Sequence, residues 1–158
     1  MTDAPHEVLI LELQGEIFAI DAQRVREILD VVPITVVPGA RPFVDGLINV
    51  RGKVVPLADL RLKFGMPTPP PTIDTRIIVV ETVVDGEGSA VGLLADRVRE
   101  VTELAAASIS ETPRIGLRWR SEFIAGIGKR GTDFIILLDL EQILASASDS
   151  RTASQPVG

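Results

Sequence analysis

The chain has 158 residues, 46% of them hydrophobic and 4% aromatic, with a formal net charge of −6. That length suits one compact unit or two very small ones, and the apolar share is enough for a core. The acidic balance argues against a general nucleic-acid binder and against attachment to anionic membranes by charge, and the lack of cysteine excludes disulfides, thiol catalysis and cysteine-held metals.

Met1 to Glu7 carries no basic stretch leading into an apolar core, so it is not read as a secretory signal. No apolar run reaches the roughly 20 residues of a membrane-spanning helix, and a soluble protein that stays where it is made is expected. Val8 to Leu13 and Ile17 to Ile20 read as strands around a turn at Gly15. Asp21 is placed to cap a helical turn reaching Val25. Glu27 to Val37 is apolar and β-branched but broken by Pro33, which predicts an edge or bent strand. Leu47–Val50 and Val54–Leu57 flank Arg51-Gly52-Lys53 as a hairpin, and Asp59 caps a short helix from Leu60 to Phe64. Pro67, Pro69, Pro70 and Pro71 then make a stiff connection near mid-chain. Beyond it lie strands at Arg76–Val84, Ala90–Ala95, Val98–Leu104, Phe123–Ile127 and Phe134–Leu138, with a turn at Asp85–Gly88. Asp139 caps a last helix to about Ala145, and Ser146 to Gly158 reads as a flexible tail.

An internal repeat organises these elements. Gly15–Val31 aligns with Gly88–Leu104, six of the 17 positions are identical, and both carry Arg-Val-Arg-Glu at the same offset. Average residue usage would give about one identity. Phe43-Val-Asp-Gly46 matches Phe123-Ile-Ala-Gly126, Arg51-Gly52 matches Arg130-Gly131, and Asp59-Leu60 matches Asp139-Leu140, with a one-residue slip. A duplicated unit of some five strands and one short helix follows, too small to be stable alone but able to share a core with its twin. Closing each sheet into a barrel removes exposed edges. The alternative is a single β-sandwich with a chance repeat.

Motifs for chemistry are weak. Gly126-Ile-Gly128-Lys-Arg-Gly131 matches G-x-G-x-x-G, but a strand follows it where a dinucleotide site needs a helix. His6 is the only histidine and lies near the terminus. Asp21, Asp59, Asp96 and Asp139 stand where caps or turn residues belong, so no acid–base pair is assigned. The run Gly46 to Arg61 is denser: Gly46 permits close backbone approach, and Asp59 can pair with Arg61 or Arg51. A plain hairpin with a capped helix and no partner also accounts for it.

This run, with Gly15 to Val31, Arg76 to Val80, Val91 to Val101 and Phe123 to Leu144, resembles the CheW family, over nearly the whole chain from Val8 to Leu144. The resemblance implies a mainly β fold of two pseudo-symmetric five-stranded SH3-like or OB-like barrels sharing a hydrophobic core, with short helices including one near the C-terminus. It implies one domain over 8–145, with subdomains at 15–72 and 73–145, strand 8–13 crossing to the second barrel, and a tail at 146–158. The implied function is a cytoplasmic, non-catalytic adaptor at membrane-bound receptor arrays, with no cofactor, no metal, no nucleic acid and no membrane insertion. Its implied partners are the cytoplasmic tip of chemoreceptors and the regulatory domain of a CheA-type histidine kinase. Val25, Glu27, Gly46, Asn49 and Arg51 fall at receptor-facing positions, and a Gly46→Trp variant is expected to fold yet lose receptor control. Thr75, Val98 and Val101 match a kinase-facing strip on the other barrel, in which Arg76 replaces a commonly apolar residue. Simple burial is the alternative for Val25, Val98 and Val101. A pilus-motility or other chemosensory system is an alternative setting, and a small-barrel ligand or nucleic-acid module an alternative class.

Overall fold

A computed structural model describes residues 6–36, 44–84, 87–104, 123–130 and 133–144. The expected tail at 146–158, the turn residues 85–86, Phe43 and Gly131 lie outside them. Ten strands are described: β1 (His6–Leu13), β2 (Glu16–Asp21), β3 (Val25–Asp30), β4 (Val44–Val50), β5 (Lys53–Asp59), β6 (Arg76–Val84), β7 (Glu87–Ala95), β8 (Arg97–Leu104), β9 (Ile124–Arg130) and β10 (Asp133–Leu138). A 3-10 turn (Ala22–Arg24) precedes β3, and α1 (Leu60–Lys63) follows β5. Residues 140–144 are helical. His6 opens β1, in register with Leu104.

The strands form two five-stranded sheets, β3-β6-β7-β5-β4 (barrel 1) and β8-β1-β2-β10-β9 (barrel 2). Adding five to each strand number, counted round ten, turns one order into the other. The duplication is therefore present in the topology. Each sheet combines antiparallel pairs with one parallel pair, β5 with β7 and β10 with β2. The edge strands of barrel 1 meet where Thr35 and Leu47 exchange backbone hydrogen bonds of 2.9 and 2.8 Å. In barrel 2, β8 reaches β9 through Leu104, whose Cδ1 would stand 2.9 Å from a Cβ at Gly128.

The sheets do not divide at the boundary expected near residue 72. Both β1 and β2 join barrel 2, and both β6 and β7 join barrel 1, so the halves exchange a hairpin. Burial explains the exchange. Val8, Ile10 and Ala19 point into barrel 2, while Leu9, Leu11, Leu13, Phe18 and Ile20 enter a core between the barrels. Ile77, Val79 and Leu94 point into barrel 1, while Ile78, Val80 and Leu93 enter that same shared core. A hairpin apolar on both faces needs two partners, and the exchange supplies them. Apolar runs such as Val8-Leu-Ile-Leu11 and Ile77-Ile-Val-Val80 are the mark of strands buried on both sides.

The repeated Arg-Val-Arg-Glu also has a physical reason. Val25 and Val98 both pack against the shared core. Arg26 pairs with Glu81 at 3.3 Å, and Arg99 pairs with Glu12 at 2.7 Å. Glu12 and Glu81 occupy matching places on β1 and β6, as the hairpin registers Leu11↔Phe18 and Val80↔Val91 require.

Candidate functional site

The β4–β5 hairpin shapes the first candidate surface. Arg51 (φ 54°) and Gly52 (φ 86°) are both left-handed, the pair of conformations that a two-residue type I′ turn demands. Asn49 supports the turn by accepting the Gly52 N–H on its Oδ1 at 2.8 Å. The turn carries Arg51 into solvent, where Nη2 lies 3.0 Å from Glu27 Oε1 on β3. Arg51 is 80% exposed at its side chain and Glu27 24%. Of the open choices for Arg51, the partner is thus Glu27, across the closure of barrel 1. Glu27, Asn49 and Arg51 are brought together. Val25 starts the same strand, but its side chain is half-buried against the shared core.

Gly46 is buried, and its role differs from a bare patch of surface. A Cβ there would overlap the Thr35 carbonyl and stand 3.0 Å from Ile34 Cγ2. The glycine lets the β3 extension bond to β4, so a Gly46→Trp variant is not expected to fold normally, and the variant cannot isolate an interface effect.

The second candidate surface lies at the boundary between the barrels. Val98 and Val101 are on β8, and Val101 is exposed. Thr75 is buried, and its Oγ1 accepts the Thr72 N–H at 2.8 Å. Its neighbours Asp74 and Arg76 line a cleft with Ile28, Arg97, Val98 and Arg99. The strip therefore spans both sheets and does not lie on the other barrel alone, because β6 joins the sheet of β3 and β4, with Thr75 as a buried brace.

Sequence reasoning gave Asp96 a turn role, and the structure adds a second one. Arg61 Nε and Nη2 donate to Asp59 at 2.9 and 2.8 Å, and Nη1 donates to Asp96 Oδ1 at 2.9 Å. Asp96 Oδ2 in turn accepts from Gln14 N at 2.6 Å and Gln14 Nε2 at 2.8 Å. Barrel 1's helix is thereby tied to barrel 2's first turn. Spacing gave no hint of this, because Arg61 and Asp96 are 35 residues apart. Carboxylates held this way are structural. Among the described residues there is no cluster of histidine and acidic side chains able to hold a metal ion. Gly126 and Gly128 lie within β9, antiparallel to β10, so a strand pairs with them where a dinucleotide site needs a helix. Among the described aromatic residues Phe18 and Phe123 are buried, and Phe134 is exposed.

Two five-stranded sheets that share a core place the protein in the class of twinned β-barrel modules. Residues 7–148 match the model of the CheW-like domain, and the chain belongs to that family of chemotaxis scaffold and adaptor proteins. It is 33% identical over 140 residues to the chemotaxis protein CheW of Klebsiella aerogenes, covering 89% of this chain and 82% of that relative. It is 30% identical to the chemotaxis protein CheW of Rhizobium meliloti, covering 92% of each. The solved structure of the scaffolding protein TtCheW from Thermoanaerobacter tengcongensis superposes with a TM-score of 0.77 at 32% identity, covering 87% of this chain and 86% of that one. These matches agree with the mainly β fold and with the expected pair of barrels.

Proposed function

We propose that this protein is a non-catalytic adaptor that couples the cytoplasmic tip of chemoreceptors to the regulatory domain of a CheA-type histidine kinase. Its place is the cytoplasmic face of membrane-bound receptor arrays. No helix of the described residues is long and apolar enough to cross a membrane. On this reading the receptors hold the adaptor at the array. The observation that supports this most is that the candidate residues gather on different sheets. Glu27, Asn49 and Arg51 cluster on barrel 1, while Val98 and Val101 lie on a strand of barrel 2.

The receptor-side surface is a charged pair on a stiff turn, able to meet polar groups on a helical tip. The kinase-side surface offers exposed and half-exposed valines. Each buried Val contributes roughly 1.5 kcal/mol, so a few suffice for micromolar contact. Repetition in an array then adds avidity. The test is a selective loss. Arg51→Glu, which sets two acids side by side, should weaken binding of a receptor-tip fragment about tenfold and spare the kinase regulatory domain. Val101→Asp should do the reverse. Equal loss of both partners, or loss of neither, would contradict the assignment of the two faces.

A further inference from the structure

The turn leading into β6 is braced more heavily than a connection requires. Thr75 N–H donates to the Thr72 carbonyl at 3.2 Å, Thr72 N–H to Thr75 Oγ1 at 2.8 Å, and Asp74 N–H to Thr72 Oγ1 at 3.1 Å. Arg76 Nη1 donates to the carbonyls of Ile73 and Thr75, both at 2.8 Å, and its Nε lies 3.5 Å from Asp30. Arg97 holds Asp74 at 2.8 Å. What all this displays is Ile73, which is 90% exposed. A single exposed apolar residue is unremarkable by itself. An exposed β-branched residue on an immobilised backbone is different, because docking it costs little ordering entropy.

The next residue, Asp74, lines the cleft that holds Ile28 and Val98. We propose that Ile73 is the apolar anchor of the kinase-facing surface, seated in an apolar pocket on the regulatory domain of the kinase, with Arg76 as its positioning residue. This rests on the reading that the β8 face meets that domain. The Arg76 guanidinium turns back onto the loop, which leaves Ile73 as its exposed apolar side chain. The rim favours a neutral, globular occupant: Arg76–Asp30, Arg97–Asp74 and Arg99–Glu12 are ion pairs closed within this chain. A strongly charged segment would find its counter-charges already taken. A second copy of this chain is disfavoured by the repulsion of two bodies of formal net charge −6.

Binding of the full chain to the kinase regulatory domain, by titration calorimetry, tests this. Ile73→Ser should weaken binding about tenfold, equivalent to about 1.4 kcal/mol. It should leave the unfolding midpoint and receptor-tip binding unchanged, since the side chain is free in the isolated protein. Arg76→Val should also weaken binding, although it adds an apolar residue, because the turn loses its brace. Four results would overturn the proposal. Wild-type affinity for Ile73→Ser, with loss for Val101→Asp, would put the anchor elsewhere and leave the kinase reading intact. Tighter binding by Arg76→Val would return the anchor to the strand. Ile73-dependent self-association in sedimentation would make a second copy the occupant. Failure of the unmodified chain to bind the domain at all would remove the kinase reading itself, and this proposal with it.

Discussion

The two barrels use one backbone plan, yet their junctions differ in chemistry. In the repeat, Asp59-Leu60-Arg61 matches Asp139-Leu140-Glu141. Both aspartates cap: Asp59 Oδ1 accepts Arg61 N–H at 3.0 Å, and Asp139 Oδ1 accepts Gln142 N–H at 3.1 Å. Both helical segments then reach the connection between an exchanged hairpin and the next strand. Arg61 does so with its side chain only 5% exposed, bonded to Asp59 and Asp96. Glu141, 72% exposed, meets Arg24 at 3.3 Å in reversed polarity. The same geometry can thus hold a sealed clamp or a solvent-facing contact. Burial decides which of the two carries stability, because water screens the exposed pair and not the enclosed one.

The largest effect that can test this contrast is Arg61→Ala. It leaves Asp59 and part of Asp96 without a counter-charge between the barrels, and breaking a buried pair costs about 3–5 kcal/mol. Urea unfolding should show that loss, and a cost under about 1 kcal/mol would mean that the clamp is not enclosed.

Next in size is barrel closure. Barrel 1 closes with backbone at Thr35 and Leu47, and Gly46 leaves no room for a Cβ beside the Thr35 carbonyl. Gly46→Ala should therefore cost about 1–3 kcal/mol, the usual range for overpacking. Gly128→Ala in barrel 2 meets only the flexible end of Leu104 and should cost less. Equal midpoints in thermal unfolding would erase the distinction. The smallest effect is expected for Glu141→Ala, within about 0.5 kcal/mol of the parent, as for other exposed pairs. A larger loss in the same unfolding assay would show that the second junction is also a clamp.

Much of this architecture was legible in the residues, for identifiable reasons. The cap at Asp59, the turn at Arg51-Gly52 and the doubly apolar β1 and β6 are local signals, set by neighbouring residues. The repeat disclosed two related units. It did not disclose that they exchange hairpins, because similarity between β2 and β7 is the same whichever sheet each one joins. Nor did spacing show that Arg51 faces Glu27 or that Arg61 reaches Asp96, since such pairs exist only once the barrels close. Ile73 was hidden for another reason. It sits at the end of a proline-rich connection, and only the hydrogen bonds from Thr75 and Arg76 mark it as held in place.

An adaptor of the proposed kind engages two different partners at the same time. Sedimentation velocity on a labelled mixture checks this. A receptor-tip fragment should add to the preformed complex of this protein with the kinase regulatory domain and give a single faster-sedimenting species containing all three. Displacement of the kinase domain by the receptor fragment would place both partners on one surface and rule out such an adaptor.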